Sequence, residues 1–171
     1  STSSGQLLFY TDGITVFNRN HQVMPNGFGL LGDSSSTQAA LIVPNPSNPN
    51  IYYIFTTDFE GFPNGLNYSV VDMTLDGGLG GVTSQKNILL KTPVCEKLTA
   101  VKNAATNEYW VVSHGFGNNE FYSYKVTAAG VITTPIISSV GTVVNTTDST
   151  YAIGYLKFSP DASKIVCVNR F

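Results

Sequence analysis

Acids, amides and a histidine gather in three short stretches of this chain, and they set the chemistry open to it. Thr57-Asp58-Phe59-Glu60-Gly61-Phe62-Pro63-Asn64 holds two carboxylates and an amide, Cys95-Glu96-Lys97 an acid beside a cation, and His114-Gly115-Phe116-Gly117-Asn118-Asn119 an imidazole with two amides. His114 with Glu96 or Asp58 would make an acid/base couple, since imidazole shuttles protons near neutral pH. Nothing in the spacing enforces that pairing, and a histidine beside Gly-Phe-Gly also reads as a turn residue bonded to nearby backbone. Asp58 and Glu60 stand two apart on one loop, weak grounds for a glycosidase pair that must face one cavity. Asp58, Glu60 and Asn64 are clustered hard oxygen donors of the kind calcium takes, yet no D-x-D-x-D-G loop accompanies them. No catalytic residue and no metal ligand is therefore assigned, no cofactor is required, and calcium stays open as an alternative. Asp58, Glu60, Asn64, Glu96, Lys97, His114 and Asn118 are instead candidate ligand contacts, a mixture suited to an extracellular glycan or peptide.

Other motifs add little. Gly77-Gly78-Leu79-Gly80-Gly81 lacks the following helix and Lys-Ser/Thr of a phosphate loop, and reads as a strand connection. There is no G-x-S-x-G, and with two histidines the chain offers few ligands for metal-dependent hydrolysis. Cys95 and Cys167 stand in no metal-spaced cluster, so each is either a buried thiol or half of one bridge. Asn67-Tyr68-Ser69 and Asn145-Thr146-Thr147 match the N-glycosylation tripeptide, and Asp148-Ser149-Thr150 an O-glycosylation pattern, all weak signals.

The elements that carry these residues follow a repeat. Leu41–Val43 to Ile51–Phe55, Leu98–Val101 to Tyr109–Val112 and Tyr155–Phe158 to Ile165–Val168 each give an apolar run, a polar turn and a second run, at a period of about 57 residues. The first two pairs continue into a third strand, Leu66–Met73 or Phe121–Val126, and a fourth near Ile88–Leu90 or Val131–Ile137. Upstream, Leu7–Thr11, Ile14–Asn18 and a run near Val23 match a second, third and fourth strand. The expected fold is all-β, a partial β-propeller of WD40/YVTN-like blades: half blade 5–31, blade 38–90, blade 96–141 and half blade 152–170. A sandwich or stacked array is the rival. Since closed propellers have four to eight blades, the remainder of the propeller, from the same chain or a partner, is expected to complete it. The loops named above fall on one face, at the mouth of the channel.

Composition agrees with this class. The 171 residues are 42% hydrophobic and 12% aromatic, enough for a core, while 12% charged residues and abundant Gly, Ser, Thr and Asn suit turn-rich β structure and disfavour helix. A net charge of −2 with cations spread singly gives no basic stripe for nucleic acid or an anionic membrane. No apolar run approaches the roughly 20 residues of a membrane-spanning helix, so no membrane insertion is expected. The first residues lack a signal-peptide pattern and read as a loop entered midway.

The phrases Leu7-Leu8-Phe9-Tyr10-Thr11-Asp12-Gly13, Asn18-Arg19-Asn20-His21-Gln22-Val23-Met24-Pro25-Asn26-Gly27, Ser34-Ser35-Ser36-Thr37-Gln38 and Tyr68-Ser69-Val70-Val71-Asp72-Met73 resemble one family. It is the propeller-like N-terminal region of Bacteroidota cell-surface proteins that carry a gliding-motility-associated, type B sorting domain for type 9 secretion. The likeness spans about residues 5 to 168. It implies a secreted or outer-surface location, adhesion or polymer binding, and contact with type 9 secretion components. It maps no catalytic residue onto this chain. The expected function is a non-catalytic binding or scaffold module of an exported bacterial surface protein. The alternatives are a propeller-type polysaccharide hydrolase or lyase, and a secretion cargo fragment held by the type 9 translocon.

Overall fold

Apolar runs separated by turn residues become hydrogen-bonded strands in the computed structural model, which describes residues 5–61 and 63–170. The chain is all-β, with 49% of residues in strands and 5% in short helical turns. Four antiparallel sheets follow one another along it. The first contains β1 (Phe9–Thr11), β2 (Thr15–Asn18) and β3 (Val23–Phe28). The second contains β4 (Ala40–Pro44), β5 (Ile51–Thr57), β6 (Leu66–Asp72), β7 (Gly81–Val82) and β8 (Ile88–Lys91). The third repeats that plan with β9 (Val94–Asn103), β10 (Glu108–Gly115), β11 (Glu120–Thr127), β12 (Gly130–Val131) and β13 (Ile136–Ser139). The fourth is the hairpin of β14 (Gly154–Phe158) and β15 (Ile165–Asn169). The described sheets do not close on themselves as a ring or barrel.

Turn chemistry sets the hairpins. Asn18 Oδ1 accepts from the backbone of Asn20 and Gln22, Asn45 Oδ1 from Ser47 and Asn48, and Asp161 carboxylate oxygens bind Ser159 and Ser163. Each short side chain satisfies amides that the turn takes out of the ladder. The expected fourth strand is split in both complete sheets, since β7 and β8 both pair with β6, and β12 and β13 both pair with β11. In the second sheet the split contains Asn87 at φ 55, and in the third it contains Pro135, which has no N–H to donate.

The faces of each sheet alternate as the pleat requires. Ile54, Val71, Met73 and Val82 meet Phe9, Val16, Met24 and Leu30 of the first sheet and its trailing loop. From the opposite face, Tyr53, Phe55, Leu66 and Val70 meet Val94, Leu98, Val111, Tyr122, Tyr124 and Val126 of the third sheet. Each such fully buried side chain contributes about 1.5–3 kcal/mol. The third and fourth sheets touch chiefly along β9 and β14 and then splay, leaving a cleft of about 510 Å³ lined by Val101, Trp110, Val112, Phe158 and Ile165.

Gln38, just before β4, ties three sheets together. Its Oε1 accepts from Leu98 N of β9 (3.2 Å) and Leu156 N of β14 (2.9 Å), and its Nε2 donates to Leu156 O (3.3 Å). Gly154 lets β14 approach β15, because a Cβ there would run into Val168 O and sit 3.1 Å from Lys97 Cε. Gly154→Ala is therefore expected to cost about 1–3 kcal/mol by forcing β14 from β15, a shift readable in the urea midpoint; an unchanged midpoint would show that the hairpin gives way freely. No described helix is long and apolar enough to cross a membrane.

Candidate functional site

The structure moves Cys95-Glu96-Lys97 from the expected loop into β9. Ser113 pairs with Leu98 and Gly115 with Val94, so three residues of β9 stand opposite His114 alone. Such a bulge re-aims side chains, and here it sends Glu96 and Lys97 to opposite faces of the third sheet. Glu96, 1% exposed, points to the second sheet. Its Oε2 accepts from Thr37 N (2.7 Å) and Thr37 Oγ1 (3.1 Å), and its Oε1 from Glu60 N (2.7 Å). Glu60 enters this network through its backbone, held at φ 49.

The other candidates on this side close loops. Asp58, 6% exposed, accepts from Phe59 N and Asn64 N, both at 2.9 Å, and so holds Asn64 close to the end of β5. Asn64 O in turn accepts from Asn67 Nδ2. Asn67 is buried in β6, which corrects the glycosylation reading of Asn67-Tyr68-Ser69: the folded chain offers no access to that amide. Asn118 Oδ1 accepts from Glu120 N and its Nδ2 donates to Tyr122 Oη, which bonds Glu120 in turn. Among the described residues no three His, Cys, Asp or Glu side chains are grouped to hold a cation.

Lys97 and His114 meet on the face toward the fourth sheet. Lys97 is fully buried, and its Nζ donates to Asn169 Oδ1 of β15. His114, 2% exposed, lies edge-on to Phe121, with ring centroids 4.5 Å apart. Its Nδ1 is 2.7 Å from Gly115 O, and a carbonyl only accepts, so Nδ1 carries the proton and Nε2 the lone pair. Burial first, and the Lys97 cation last, hold His114 below the usual imidazole range, against the raising effect of its bond to Gly115. Cys95 Sγ donates to the same carbonyl at 3.4 Å and lies 3.9 Å from Nδ1. Burial pushes this thiol up to about 12, and also raises Cys167. A protonated thiol facing a protonated ring nitrogen is not an activated nucleophile. Both cysteines are free.

Beside this cluster opens a cleft of about 380 Å³, lined by His114, Phe121, Val140, Gly141, Thr142, Cys167, Val168 and Asn169. Sequence reasoning found Lys97 and His114 but missed Phe121 as a site residue and Asn169 altogether. Phe121 reads as core from its strand position, and Asn169 carries no local signal, because its partner lies 72 residues away. Comparison with protein-family models, with curated proteins and with solved structures finds no match.

Two results follow from the burial. Removing a buried charge and keeping the volume is commonly neutral or stabilising, so Lys97→Met is expected to hold stability or raise it by about 1–3 kcal/mol; a clear loss in urea unfolding would show that the ammonium contributes net stability. His114 binds its proton more weakly folded than unfolded. Its contribution is complete above the unfolded value and lost as pH falls through the folded one, so the urea midpoint should drop from about pH 7 to 5. His114→Gln should flatten that drop, and an equally steep drop in the variant would assign it to other groups.

Proposed function

We propose that this chain is a non-catalytic binding or scaffold module, built as part of a β-propeller, in an exported bacterial surface protein. One observation carries the reading: the acids on the loop face are spent on the fold. Glu96 and Asp58 accept backbone donors, and His114 directs its proton at Gly115 O instead of at an acid. Hydrolysis or lyase chemistry needs an acid and a base that converge on one cavity, and these three are divided between two seams of the third sheet. The propeller part rests on the serial four-strand order, on packing of each complete sheet against its neighbour, and on Gln38, just before β4, bonding both β9 and β14. The surface location and the type 9 secretion partners rest on the family resemblance.

A panel of extracellular polysaccharides and surface proteins, read for both binding and product, tests this. Saturable binding with every polymer recovered intact is expected. Product release that disappears in His114→Gln would overturn the reading in favour of an enzyme.

A further inference from the structure

Lys97 is a cation that the chain leaves without a counter-charge. It is fully buried, its hydrogen-bond acceptor is the neutral amide of Asn169, and the single ion pair among the described residues joins Lys125 to Glu108. Neighbouring Glu96 faces the other seam, and its carboxylate is taken by Thr37 and Glu60. The groups around the ammonium, Cys95, His114 and Cys167, supply no negative charge: burial raises both thiols, and an imidazole is never an anion here. An ammonium has three donors, and a buried charge is costly unless paired and hydrogen-bonded. Such a group is poised for an anion from outside.

Access runs through Asn169, which is half-buried and lines both the 380 Å³ cleft and a second of about 220 Å³ bounded by Val143, Val144, Asn145, Tyr151 and Arg170. Asn169 Oδ1 holds the place that a carboxylate oxygen would take, and this amide is what stands between Nζ and the cleft. The remaining lining is mixed. Phe121, Val140 and Val168 give an apolar wall, while the Thr142 hydroxyl and the imidazole are polar. A bare inorganic anion makes no use of the apolar wall, and an apolar acid makes none of the polar groups. The volume is within the range of small-ligand sites.

We propose that this cleft binds a carboxylate-bearing sugar, a uronate unit of an extracellular polysaccharide, with its carboxylate on Lys97 and its ring against Phe121. This rests on the binding-module reading and names the ligand class of that site.

Calorimetric titration of the whole chain with a galacturonate trimer, a neutral galactose trimer, acetate and a glutamate-rich peptide tests it. The uronate trimer is expected to bind at least roughly tenfold tighter than the other three, the factor that one charge-assisted hydrogen bond supplies. Lys97→Met should lose at least about tenfold in uronate affinity. Asn169→Asp gives Lys97 an internal carboxylate and should lose a similar factor while the fold stays intact, so a misfolded Lys97 variant cannot imitate the result. Uronate binding unchanged in Asn169→Asp, or equal binding of the peptide or neutral sugar, overturns the uronate site and leaves the module reading standing. No uronate binding by the native chain does the same. Cleavage of the trimer overturns the module reading itself.

Discussion

Gln38→Leu should lower the unfolding free energy by about 3–4 kcal/mol, one of the two largest losses expected outside the hydrophobic core. Leucine keeps most of the volume but removes three hydrogen bonds, leaving Leu98 N, Leu156 N and Leu156 O without their side-chain partner. A buried group stripped of its partner costs about 1–3 kcal/mol. Part of that is recovered here, because Gln38 itself is half-buried and water can enter where its amide stood. The loss should be uneven. The fourth sheet is held to the third along β9 and β14, so its amides should exchange with solvent by local opening well before those of β5 and β10. Urea unfolding gives the total and amide exchange its distribution. A change under about 0.5 kcal/mol would mean that packing of Leu98 and Leu156 alone holds the seam.

Glu96→Ala is the second large effect, at about 3–4 kcal/mol, with Glu96→Gln losing roughly half as much. The carboxylate is buried and accepts three hydrogen bonds from two separate segments, at Thr37 and at Glu60, so its loss frees both. The amide of glutamine retains one acceptor oxygen and turns an N–H toward groups that are themselves donors. Thermal or urea unfolding checks the ranking. Glu96 as a surface contact would instead give two variants with near-native stability and weakened binding, which would return it to the list of ligand residues.

These two residues also show what a sequence of this kind reveals. The strands were legible because runs such as Ile51–Thr57 and Glu120–Thr127 are apolar, β-branched or aromatic and end at Asn, Gly and Pro turns. The sheet order followed from the repeat. The start of β9 was not legible: two adjacent charges ahead of an apolar run look like a solvated loop, and they enter the strand because the bulge gives each a polar partner on a different seam. Gln38 was hidden for the same reason, since its partners lie 60 and 118 residues away and polar contacts at that distance leave no local pattern. His114 read as a loop residue beside glycines and is instead the buried end of β10.

Most of the polar side chains that residue types single out are thus engaged within the fold. Asp58, Glu96 and Asn118 hold loops through backbone donors, Glu60 and Asn64 join them through their own backbone, and the polar groups facing the 380 Å³ cleft include His114, Thr142 and Asn169, which covers Lys97. The proposed binding module rests on that division.

An NMR titration of the galacturonate trimer into the native chain tests that division most directly. The predicted result is a saturable set of shifts centred on His114, Phe121, Thr142 and Asn169, with the trimer's own signals intact at the end. Shifts centred instead on residues 33–38 and 58–64, or the growth of product signals, would contradict it.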